Sequence, residues 1–91
     1  MYLEIISPEA KIYSGEVSSV SVPGEAGSFQ ILDNHAPIVS NLKKGSITIE
    51  GDLKIKDEFK ERFLIKNGKT FFEINSGTVE NSNNNVIILS D

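Results

Sequence analysis

Apolar and polar residues alternate with period two in short runs along this chain, and each run stops at glycine, proline, asparagine or a charged pair. Such alternation turns one face of a strand inward and the other to water. Tyr2–Ile6 is the first run, ended by Ser7-Pro8. Lys11–Ser14 follows, then Gly15, then Glu16–Val22, in which Val20 and Val22 share a face with Glu16 and Ser18 while Ser19 and Ser21 take the other. Pro23-Gly24 and Gly27 predict turns, because proline fixes φ and glycine enters left-handed space cheaply. Ser28–Leu32 reads as the strand between those turns and Asp33-Asn34, with Phe29 and Ile31 on one face and Gln30 and Leu32 on the other. Pro37 keeps Ala36 extended. Ile38–Leu42 comes next, then Lys43-Lys44-Gly45 as a turn, then Ser46–Glu50 with Ile47 and Ile49 inward.

Gly51–Lys66 carries two patterns. Leu53 and Ile55 alternate with lysines, as in a strand, whereas Ile55, Phe59 and Phe63 are spaced for one helix face. Asn67-Gly68 lies between apolar runs, the strongest short-range hairpin signal, and predicts arms at Arg62–Lys66 and Lys69–Ile74. A helical turn is expected near Asp57–Lys60. Asn75-Ser76-Gly77 bends the chain into a short strand Thr78–Glu80, Asn81–Asn85 is a polar turn, and Val86–Leu89 closes the sequence.

Eight to ten short strands, turns every few residues and no long amphipathic helix predict an all-β sandwich or barrel. Residues 1–91 form a single domain without repeat or linker. The expected core includes Val20, Val22, Phe29, Ile47, Ile49 and Val86.

Charge and chemistry narrow the function classes. The net charge of −4 argues against nucleic acid, whose phosphates need a basic patch. With no cysteine, disulfides and thiolate metal sites are excluded. No apolar run approaches a membrane span and no signal peptide opens the chain, so the default location is the cytoplasm. His35 is the one histidine, too few for a metal cluster, and the one base a nucleophilic triad could use. Asp57, Glu58 and Glu61 lie among Lys56, Lys60 and Arg62, the mark of a solvated face. Gly24-Glu25-Ala26-Gly27 lacks the lysine and following helix of a phosphate loop. The chain is expected to be no enzyme, with no cofactor and no metal.

Val22-Pro23-Gly24, then Gly27-Ser28-Phe29, Ile31-Leu32 and Asn34-His35-Ala36-Pro37, together resemble the signature of the epsilon subunit of F-type ATP synthases, called delta in mitochondria. The likeness extends to Tyr2–Glu9, to Ser14-Gly15-Glu16-Val17, to Leu42–Gly45, and to Ser76–Glu80 with Asn85–Leu89. It covers nearly the whole chain apart from Gly51–Lys66, which is longer than the family's usual hairpin. Asp33 stands where the family usually has proline, Ala26 or Ser28 where it often has an acidic residue, and Ser76 where it has the first of two glycines.

The resemblance implies a two-layer antiparallel β-sandwich of about ten strands that serves as a non-catalytic rotor part. Such a subunit binds gamma and the c-ring and couples ion flow to ATP synthesis, peripherally, at the cytoplasmic face of the bacterial inner membrane. By analogy Ala26, Ser28, Asp33, Asn34 and His35 face the c-ring, and Ile12, Ser40 and Thr78 face gamma. His35 has a second reading, in which its ring locks the Asp33–Pro37 turn by bonding a backbone group. Longer members continue into two helices, so a chain ending at Asp91 is expected neither to inhibit through such an arm nor to bind nucleotide. The alternative is a free-standing sandwich that binds peptide or carbohydrate, for which no tryptophan and two tyrosines make a poor stacking platform.

Overall fold

Ten strands form at the alternating runs of residues 1–91, all of which the computed structural model describes. They are β1 (Tyr2–Ile6), β2 (Lys11–Glu16), β3 (Ser19–Gly24), β4 (Gly27–Leu32), β5 (Ile38–Leu42), β6 (Gly45–Glu50), β7 (Phe63–Lys66), β8 (Lys69–Ile74), β9 (Gly77–Ser82) and β10 (Asn85–Ser90). Neighbours run β2-β1-β10-β9-β5-β3-β6-β8-β7, and β4 lies on the other side of β3. Every pairing is antiparallel except β1 with β10. The β5–β3 link is a single pair, Gly24 opposite Leu42, and there the curled sheet turns from one layer of the sandwich to the other.

The inward positions meet in one apolar core. Leu3, Ile5, Val20, Ile31, Ile47, Ile49, Val79, Val86 and Ile88 are all fully buried. Val20, Val22, Ile47, Ile49 and Val86 are therefore core as expected, and Phe29 packs against that cluster half-buried. Ser19, on the opposite parity of β3, is buried too and donates to the Glu50 carboxylate at 3.0 Å.

Some boundaries differ from the sequence expectation, each for a physical reason. Gly15 sits inside β2 instead of ending it: a Cβ there would stand 2.6 Å from the Tyr13 hydroxyl, so the glycine makes room for the ring. Pro23-Gly24 end β3 and the turn falls at Glu25-Ala26. Pro23 has no N–H to offer, and β6 pairs β3 only through Ser19–Ser21, so none is missed. Asn81 belongs to β9, leaving Asn83-Asn84, both at positive φ, as the turn.

Gly51–Lys66 resolves into three pieces. Residues 51–56 belong to no strand, a 3-10 helix spans Asp57–Arg62, and β7 follows. The helical spacing of Phe59 and Phe63 serves one short turn whose aromatics lean on the core. Phe63 meets Phe72 with ring centroids 5.0 Å apart, and the Arg62 guanidinium lies 5.3 Å over the same Phe72 ring.

Candidate functional site

The residues that the resemblance turns toward a ring fall at the two ends of β4. Ala26 and Ser28 are exposed at the tip of the β3–β4 hairpin. Asp33, Asn34 and His35 follow its far end, about 17 Å away at roughly 3.4 Å per residue. The strand thus separates them instead of gathering them into one patch. The other edge of β4 is unpaired, since β4 pairs only β3.

Each end is braced differently. At the hairpin tip, the Glu25 N–H donates to the Asn41 carbonyl at 3.0 Å and the Lys43 N–H to the Pro23 carbonyl at 2.9 Å. At the far end the His35 N–H closes a turn on the Leu32 carbonyl at 3.1 Å, with Asn34 at a φ of 62°. The Asn34 N–H donates to Asn84 Oδ1 at 2.9 Å. Asn81, only 2% exposed, donates its amide to the carbonyls of His35 and Ala36 at 3.1 and 3.2 Å. His35 Nδ1 donates to the Ala36 carbonyl at 2.7 Å, which is the turn-locking reading of this side chain.

Asp33 is engaged as well. Its Oδ1 accepts from the Met1 ammonium at 2.7 Å, and Glu16 Oε2 lies 3.5 Å from the same nitrogen. The ammonium also donates to the Val17 carbonyl. The bond from the ammonium holds the Asp33 carboxyl below the usual carboxylate range, and the same bond raises the ammonium above its ordinary value. Where proline would fix φ by its ring, aspartate anchors the turn by charge.

The three residues assigned toward gamma also separate. Ile12 is 1% exposed, so its side chain is core and presents no surface. Ser40 is half-buried on β5, opposite the buried Val79. Thr78 faces outward from β9, between Asn41 of β5 and Leu89 of β10.

Around Thr78 lies a surface the alternation did not predict. Register places Val39, Glu80, Ile87 and Glu4 in one row, and Asn41, Thr78, Leu89 and Ile6 in the next. Val39 is 75% and Leu89 50% exposed, with Ile6 and Ile87 half-buried beside them. The signal was in the sequence: Ile5-Ile6 and Ile87-Ile88-Leu89 break alternation, so the outward faces of β1 and β10 carry apolar residues as well. A solvated sheet face need not carry them.

The one recess, about 40 Å³ beside β2, is lined by Lys11, Ile12, Tyr13, Ser14, Lys54 and Lys56, without a carboxylate or histidine. No three His, Asp or Glu side chains cluster as metal ligands. No helix is long and apolar enough to cross a membrane.

A family described as the β-sandwich domain of the ATP synthase delta/epsilon chain matches residues 1–91. The ATP synthase epsilon chain of Chlorobium limicola is 37% identical over 89 residues, covering 98% of this chain and 86% of that one. The epsilon chain of Campylobacter concisus is 36% identical over 91 residues, and there this chain spans 60% of the relative's length. Among solved structures, a chain of the Tetrahymena thermophila mitochondrial ATP synthase central stalk and c-ring superposes with a TM-score of 0.74. That match covers 99% of this chain and 62% of the other at 16% identity, a likeness of fold.

Proposed function

The chain belongs to the ATP synthase delta/epsilon family, and from that premise we propose that it is a central-stalk subunit, itself without catalytic groups, that couples ion flow to ATP synthesis. It binds gamma through the outward face of β5, β9, β10 and β1, and it rests on the c-ring along the free edge of β4. The observation that carries this reading is the apolar outer face: Val39 and Leu89 stand open to water, backed by Ile6 and Ile87. Apolar side chains at the centre of a polar-rimmed patch are where binding energy concentrates. Thr78 belongs to that patch and Ser40 borders it, whereas Ile12 is buried in the core.

Toward the ring, the two ends of β4 act as separate footholds. Ala26 and Ser28 meet it at one end and Asp33, Asn34 and His35 at the other. In this reading the subunit is peripheral, on the cytoplasmic face of a bacterial inner membrane, held there by its partners. The test is ATP-driven ion pumping in membranes carrying Ser28→Glu, Asn34→Glu or both. The double variant is expected to assemble and hydrolyse ATP while pumping less than either single. Normal pumping by an assembled double variant would remove β4 from the ring contact.

A further inference from the structure

Leu64 and Ile65 are 62% and 67% exposed, consecutive, and on the edge strand β7. Being consecutive, they point to opposite faces. Both sides of this edge are therefore apolar. The edge strand at the other end of the sheet, β2, exposes Lys11, Ser14 and Glu16, the polar guard that keeps strands from pairing with strangers.

The turn fixes which backbone groups are free. Asn67-Gly68, with φ of 53° and 76°, makes a two-residue hairpin, so Lys66 and Lys69 are its closing hydrogen-bonded pair. Leu64 opposite Phe71 is the next such pair. Ile65 opposite Thr70 falls between them, and its N–H and C=O turn away from β8. None of the turn, loop and side-chain hydrogen bonds reaches them.

Charge selects the occupant. Residues 51–69 hold six of the nine basic residues against four of the thirteen acidic ones, an excess of two positive charges in a chain of net −4. Lys60 pairs with Asp57, while Lys54, Lys56, Arg62, Lys66 and Lys69 make no ion pair. Lys66 and Lys69 stand opposite each other on the face of Leu64.

From this arrangement we infer that β7 is a docking edge for an extended acidic segment of a partner protein, which joins the sheet as an added strand. Ile65 exchanges both backbone bonds with the incoming strand. Acidic side chains of that strand meet Lys66 and Lys69, and apolar ones cover Ile65 on the other face. A second copy fits poorly, because β7 against β7 brings two positively charged arms together. A lipid surface offers no strand to the Ile65 backbone.

The probe is a capped peptide alternating glutamate with valine, titrated into the isotope-labelled chain and followed by amide shifts and hydrogen exchange. Saturable shifts confined to residues 62–69 and slowed exchange at Ile65 are expected, with no response to the same peptide carrying lysine for glutamate. Ile65→Pro deletes the free N–H without touching the β8 ladder, and should weaken binding at least about tenfold. Lys66→Glu with Lys69→Glu, on the exposed hairpin, should do the same even where the proline variant fails to fold. The proposal is overturned by absent or misplaced shifts, or by undiminished binding in either folded variant. Dimerisation through β7, or anionic vesicles perturbing 62–69 where the peptide does not, would overturn it as well.

Discussion

Asn81 shows how much one buried amide can organise. Its two donated bonds fix the carbonyls of His35 and Ala36, so the loop proposed to meet the ring is held from β9 behind it. Asn81→Ala would remove both bonds and leave the Ala36 carbonyl only its bond from His35 Nδ1, at a cost of about 0.5–1.5 kcal/mol per lost bond. Urea unfolding of the variant measures this, and unchanged stability would show that water replaces the amide. Asp33 is a second anchor, and its sign can be worked out. A carboxyl depressed in the folded state adds stability above the unfolded value of about 4, lost as pH falls through the folded pKa. A raised ammonium adds stability that is full below about 8 and lost as pH rises through its folded pKa. Asp33→Asn should therefore lower the thermal midpoint near neutrality and flatten both flanks, by little, since the carboxylate is solvated. Wild-type and variant curves running parallel across pH would contradict the pairing.

At the scale of elements, β9 and β10 depend on one close approach. A Cβ on Gly77 would run into the Leu89 carbonyl of the paired strand. Gly77→Ala should thus cost on the order of 1–3 kcal/mol through forced backbone movement. Thermal denaturation tests it, and an unshifted midpoint would mean the ladder yields freely. Strands were the most legible part of the sequence. Ile38–Leu42 and Lys69–Ile74 match the expected runs residue for residue, because alternation and turn residues agree there. Where they disagreed, packing decided. Gly15 and Pro23-Gly24 read as breaks, yet one makes room for Tyr13 and the others fall where β6 has diverged. The loop residues around His35 were legible as a motif. Asn81 was not, because an asparagine before Ser82 and Asn83 looks like turn, and only the register turns it inward.

At the scale of the whole molecule, the domain has two kinds of surface that local patterning could not separate. Alternation identifies the buried face of each strand, but says nothing about which outward positions join across neighbouring strands. Val39 of β5 lies far in sequence from Thr78, Ile87 and Leu89 of the β9–β10 hairpin, and the four become one patch only through the β5-β9-β10 pairing. Gamma is proposed to bind at this patch. The direct measurement is the affinity of the folded chain for purified gamma, with and without Val39→Glu and Leu89→Glu. Both positions are exposed, so the double variant should keep its thermal midpoint while its affinity falls at least about tenfold. A folded double variant that binds gamma as tightly as the original chain would contradict the account.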